Sequence, residues 1–196
     1  MRTAIIFDTE TTGLPLPGKA SLDKQPKIIE LGALLVGKDG PLGELSQLID
    51  PRQPLDAKIT EITGIKGEDL VGMPTFIEFL PKLIEFFTPQ ADYLIAHNAN
   101  FDVSLLTFDL QRADAKEFPW PKETICTVQE FTPEFGRRPR LIELYEVKLG
   151  KPLAQTHRAL DDCKALYELL VADKYMDAIL TDLERINNND PAENKD

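Results

Sequence analysis

The sequence predicts an α/β fold with a central sheet. Three observations predict it. Near the N-terminus, Ile5, Ile6 and Phe7 form an apolar, β-favouring run; residues 28–36 and 42–49 form two more, separated by a Lys38-Asp39-Gly40 turn. Beyond residue 92, short apolar runs alternate with segments of helical periodicity. The first three strands read as an antiparallel meander, and the later ones as strand-then-helix units.

Taken in order, residues 5–13 run from the first strand into a turn made by Thr11, Thr12 and Gly13. Residues 14–25 carry Pro15, Pro17 and Gly18 and read as a loop that Pro26 ends. Residues 51–66 change character, with Leu55, Ile59, Ile62 and Ile65 at helical spacings and Gly64 as a stop. Pro74 and Thr75 open an amphipathic helix whose Phe76, Phe79, Leu80, Leu83, Ile84 and Phe87 recur every three or four residues. A strand over 92–97 leads into a helix over 100–112, and a strand over 124–128 leads into a Pro-interrupted loop holding Arg137, Arg138 and Arg140. Helices over 141–149, 158–172 and 176–186 follow. The segment 187–196, rich in Asn and charge, is expected to be a mobile acidic tail, leaving residues 1–186 as one domain.

A chain of 196 residues with 42% hydrophobic content suits that single domain. The net charge of −11 argues against a broad basic surface for nucleic acid, because phosphate neutralisation needs clustered Lys and Arg. A local site is still allowed, since bound divalent cations reverse the sign of an acidic cluster. Two cysteines, Cys126 and Cys163, with no secretory leader and no apolar span of membrane length, point to a cytoplasmic protein. Both cysteines read as small buried hydrophobes, with no partner spacing for zinc.

Three stretches carry candidate chemistry. Asp8 and Glu10 stand at i and i+2 of a strand and so share a face, where two carboxylates repel unless a cation lies between them. Asp102 falls in the first turn of a helix, where the helix dipole favours a carboxylate. His157 and Asp162 flank the start of another helix; Asp161 and Asp162, about 100° apart on it, cannot both face one site. Taken alone, each has an ordinary reading, as an acidic turn or as helix capping.

Together the three stretches, FDTETTG at Phe7 to Gly13, HNANFD at His97 to Asp102 and HRALDD at His157 to Asp162, resemble the DEDDh exonucleases, a group that includes the epsilon subunit of bacterial DNA polymerase III, RNase T and the TREX enzymes. Ile62-Thr63-Gly64-Ile65 resembles another recurrent segment of that family. The resemblance implies a ribonuclease H-like fold, with a five-stranded mixed sheet flanked by helices. It also implies a metal-dependent 3′–5′ exonuclease releasing nucleoside 5′-monophosphates from DNA ends, with an exoribonuclease as the alternative and a non-catalytic polymerase-bound module as a more distant one. By the same resemblance Asp8, Glu10, Asp102 and Asp162 are the metal ligands, for two Mg²⁺ or Mn²⁺ ions, and His157 is the general base.

For substrate contacts, the resemblance suggests Leu14 as an apolar wedge against the terminal base, with packing under the loop as its alternative. Thr11 and Gly13 are candidate backbone donors. Phe101 is a candidate stacking surface or a core residue, and Arg138 and Arg140 are candidate phosphate contacts or an ordinary solvated loop. His97 is expected to order its turn by hydrogen bonding. Expected partners are single-stranded DNA or RNA 3′ ends, with a DNA polymerase as a further one and no membrane.

Overall fold

The strand that carries the first acidic pair is the middle strand of the sheet. In the computed structural model, which describes residues 2–18, 20–88, 90–154 and 157–181, β1 spans Ala4–Thr11. Its first four residues are buried on both faces; from Asp8 onward, half-buried and buried positions alternate, so that the strand's C-terminal end emerges from the core. β2 (Ile28–Gly37) and β3 (Gly40–Leu48) follow as the antiparallel meander, and β4 (Tyr93–Ala96) and β5 (Glu123–Cys126) lie parallel to β1 on its other side. The order is β3-β2-β1-β4-β5. This is the five-stranded mixed sheet that the resemblance implied.

Helices cover both faces. α1 (Ala57–Thr63) starts at Asp56, which accepts a hydrogen bond from the Lys58 N–H, and stops at Gly64 in the left-handed conformation. α2 (Phe76–Phe87) opens with a capping box between Thr75 and Glu78; Pro81, inside it, lies on the exposed side, where a missing backbone bond costs least. α2 and α3 (Ala99–Arg112) pack Leu83, Phe87, Leu105 and Leu106 against Ile5 and Phe7 of β1. On the opposite face, α5 (Leu141–Leu149), α6 (Ala159–Ala172) and α7 (Tyr175–Leu180) pack Leu144, Leu166, Leu169 and Ile179 against Ala4 and Ile6. By strand alternation Asp8 and Glu10 belong to this second face, the one α6 covers.

Two expectations need correcting. The strand over 124–128 ends at Cys126, and the chain turns directly into α4 (Thr127–Phe135), where the sequence had read a loop. Pro133 suggested the loop, yet Val128, Phe131 and Phe135 recur at helical spacing, and burial of Val128 and Phe131 holds the helix together. The last helix begins at Tyr175 and ends at Leu180; residues 182–196, including the segment read as an acidic tail, lie outside the described residues. Among the described residues no helix is long and apolar enough to cross a membrane.

Candidate active site

The site forms where β1 outruns its neighbour. Pairing of β1 with β4 covers only Ala4 to Ile6, so the stretch from Asp8 onward has no strand on that side. Asp102, in the first turn of α3, fills the gap. Its Oδ1 accepts from the Thr9 backbone N–H at 3.0 Å and from Thr9 Oγ1 at 2.8 Å, satisfying a strand N–H that would otherwise lie buried and unpaired. Asp102 is 2% exposed and reaches the β1 terminus from the α3 side of the sheet, while Asp8 and Glu10 face α6.

α6 delivers the fourth acid. Opposite Asp8 in the β1–β2 register stands Gly32, and α6 crosses β2 at that point. The helix then places Asp162 against β1 in its first turn, buried, while Asp161 turns outward and is exposed. One carboxylate oxygen each from Asp8, Glu10 and Asp162 lies within 4.8 Å of the others. Asp102 falls outside that threesome, held by Thr9.

The electrostatics record four acids crowded together. Burial, then repulsion from Asp102, Glu10 and Asp162, raises Asp8 well above the usual carboxylate range. Burial followed by Asp162 and Glu30 pushes Glu10 up to about 8, and burial pushes Asp102 up to about 7 against the two Thr9 hydrogen bonds that favour its charge. An all-oxygen donor set under such repulsion fits hard divalent cations, whose charge removes the cause of the shifts.

A cleft of about 540 Å³ opens beside Asp8 and Asp162, and His157, Arg138 and Arg140 line it with them. His157 is half-buried, with a left-handed backbone (φ 48°). His97, on the cleft wall, has both ring nitrogens engaged. Nε2 lies 3.1 Å from the Pro139 carbonyl oxygen, to which it must donate; Nδ1, 3.0 Å from Thr127 Oγ1, then accepts. Burial, helped by the nearby Arg138 charge, lowers its pKa to about 4, so it is a neutral tie between β4 and the loop before α5, as expected.

The substrate-contact candidates divide. Leu14 is 77% exposed, which removes the alternative of packing under its loop. Thr11 is buried and donates to the Gly13 carbonyl at 2.7 Å, so its side chain shapes the turn. Phe101 is half-buried against the α2–α3 core. Within the basic run, Arg137 and Arg140 both grip Glu143, whose carboxyl is held down to about 2, whereas Arg138 Nη2 donates to Asn98 Oδ1 at 2.7 Å beside the N-terminus of α3. Thr9, Glu30 and Gly32 were not singled out from the sequence; their importance lies in cross-strand and strand–helix contacts that local spacing does not reveal.

Comparison with known proteins agrees with this geometry. Residues 5–170 match the sequence model of a family described as exonuclease, of RNase T type. The chain is 33% identical over 166 residues to the DNA polymerase III subunit epsilon of Treponema pallidum, an alignment spanning 83% of this chain and 72% of that one. It is 35% identical over 167 residues to a PolC-type DNA polymerase III of Clostridium perfringens, of whose length it spans only 11%. Among solved structures, the nuclease domain of 3′hExo, a DEDDh family member bound to rAMP, superposes with a TM-score of 0.71 at 20% identity, covering 91% of this chain and 94% of that one. Exonuclease X in complex with 5′ overhanging duplex DNA gives 0.62 at 24% identity, covering 91% and 92%. These two share the ribonuclease H-like fold. By the extent of the sequence match, the chain belongs to the exonuclease family of RNase T type.

Proposed function

We propose that the protein removes nucleotides one at a time from the 3′ end of DNA, single-stranded or frayed from a duplex, and releases nucleoside 5′-monophosphates. The observation that carries this reading is the convergence of Asp8, Glu10 and Asp162 within 4.8 Å, two of them, Asp8 and Asp162, lining one cleft with His157. In this reading residues 1–186 are the catalytic unit, and Asp8, Glu10, Asp102 and Asp162 would hold two Mg²⁺ or Mn²⁺ ions. Such ions, when bound, stabilise the charge that builds on the attacking and departing oxygens of a phosphodiester.

The chain's own groups do the rest. His157 accepts the proton of the attacking water as the water oxygen bonds to phosphorus and the bond from phosphorus to the 3′ oxygen breaks. Thr9 fixes the Asp102 carboxylate. Arg138 offers its guanidinium to the phosphates, and Arg140 does so at the cost of its contact with Glu143. Leu14 presents an exposed apolar side chain to the terminal base, beside the turn that Thr11 and Gly13 form, with Phe101 as a further apolar surface.

DNA is favoured because the relatives at 33% and 35% identity are named as DNA polymerase III proteins, which also supports a polymerase as partner. A reducing, cytoplasmic setting fits two buried, unpaired cysteines. The test is degradation of 5′-labelled single-stranded DNA and RNA of one sequence with Mg²⁺, Mn²⁺ or EDTA, by the native protein and Asp8→Ala. A metal-dependent ladder shortening from the 3′ end, faster on DNA and absent in the variant, is expected. Faster loss of RNA would make the protein an exoribonuclease, and no cleavage of either by folded, metal-binding protein would overturn the exonuclease reading.

A further inference from the structure

Beside the acidic cluster lies an ion pair between a buried carboxylate and a solvent-exposed arginine that the proposed chemistry does not use. Glu30, on β2, is 1% exposed and stands opposite Glu10 in the strand register. Arg158 Nε lies 3.0 Å from each Glu30 carboxylate oxygen, and its Nη2 donates to Oε1 at 2.7 Å. The Ala159 N–H donates to Oε2 at 3.3 Å. A carboxylate on a central strand thus holds both the side chain that follows His157 and the first backbone N–H of α6. A buried carboxylate needs such pairing to be tolerated at all.

We propose that Glu30 and Arg158 are positioning residues for His157. The histidine stands in a left-handed conformation that a non-glycine residue adopts only when its surroundings enforce it. On its C-terminal side the enforcing contacts are those of Glu30, since Arg158 and Ala159 are the next two residues. Two positions along β2, Gly32 meets the α6 backbone directly. The strand therefore holds the start of α6 at two points, the glycine contact serving Asp162 and the ion pair serving His157. A shift of about 1 Å in a proton-accepting group is enough to cost roughly a hundredfold in rate.

This inference rests on His157 being the general base, and the experiment separates the two. Arg158→Ala, Arg158→Lys and Glu30→Gln are made in the full chain, alone and with His157→Ala, and assayed on labelled single-stranded DNA with Mn²⁺. The expected result for Arg158→Ala is a fall in kcat of roughly tenfold to a hundredfold with KM and Mn²⁺ affinity within about twofold, partial recovery in added guanidinium ion, and no further loss once His157 is Ala. Arg158→Lys, which keeps the charge without the fork, falls between. An equal loss in the His157→Ala background, or Mn²⁺ affinity falling in step with rate, would overturn the proposal. The chain has only two histidines, so ring NMR with His97→Asn as the assignment control reads the same point without turnover. One sharp His157 signal that broadens or splits in Arg158→Ala is expected even if the native protein cleaves nothing; a His157 signal unchanged by Arg158→Ala would overturn the positioning role.

Discussion

A Cβ built on Gly32 would lie 2.3 Å from the Leu160 backbone nitrogen and 2.4 Å from the Ala159 carbonyl carbon. No side-chain rotation relieves a clash with backbone, so the absence of a side chain at residue 32 sets how closely α6 crosses β2, and thereby where Asp162 meets Asp8. Gly32→Ala is expected to push α6 off the sheet, costing about 3 kcal/mol or more in stability and most of the nuclease activity. Gly43→Ala is the control, because a Cβ there meets only Phe86 Cε2 at an ordinary 3.7 Å. Urea melts and rates for both variants check it; equal behaviour would remove Gly32 from the account.

The acidic cluster makes stability depend on pH in a direction opposite to that of ordinary paired carboxylates. With folded pKa values raised, to about 8 for Glu10 and about 7 for Asp102, the folded state binds more protons than the unfolded state between about pH 4 and pH 8. The metal-free protein therefore loses stability as pH rises through that window. Divalent cations compensate, so the gain in Tm on adding Mn²⁺ to EDTA-treated protein should be larger at pH 8 than at pH 6. Glu10→Gln should raise metal-free stability at pH 8 by roughly 2 kcal/mol, less than the isolated shift implies because the remaining acids share their protons, while abolishing activity. Calorimetry at the two pH values checks both signs.

What the sequence made legible follows from what is local. β1, the meander, α2 and α6 announce themselves by periodicity and caps, and the fold brings Asp8, Glu10 and Asp162 together at the end of β1. α4 was missed because Pro133 signals a break more strongly than Val128, Phe131 and Phe135 signal a helix, and tertiary burial outweighs it. The basic run illustrates the opposite limit. Its three arginines look alike in sequence, but Glu143 holds two of them and Asn98 the third, and those partners are fixed by how α5 and α3 meet the loop.

His97 contributes with a separate pH signature. Its folded pKa of about 4 lies below the unfolded value of about 6.5, so its contribution is complete above pH 6.5 and is lost as pH falls toward 4, where the unfolded chain takes up a proton that the fold excludes. This runs against the acids, which gain over the same range, and the difference between variants isolates it. His97→Asn should lower stability at pH 7.5 by on the order of 1–2 kcal/mol, through loss of the ties to Thr127 and Pro139, and by less at pH 5. Mn²⁺ affinity should be unchanged. A large fall in Mn²⁺ affinity would mean that His97 acts on the metal site.

Arg138 is the member of the basic run whose guanidinium donates to the neutral amide of Asn98, and it lines the cleft with Asp8 and His157. Its charge is therefore less compensated than that of Arg137 or Arg140, each of which shares Glu143. A phosphate approaching the cleft exchanges Asn98 for a stronger, charge-assisted partner. Arg138→Ala should raise KM for single-stranded DNA several-fold with kcat changed less, and should reduce the slope of log affinity against log salt by about 0.7, one phosphate contact on a single strand. Arg137→Ala should leave that slope where it was, because the residue's work is to hold Glu143 and the start of α5. If the two variants gave the same slope, the cleft would lack a dedicated phosphate contact at Arg138, and the path of the substrate strand would have to run on the other side of His157, past Arg158.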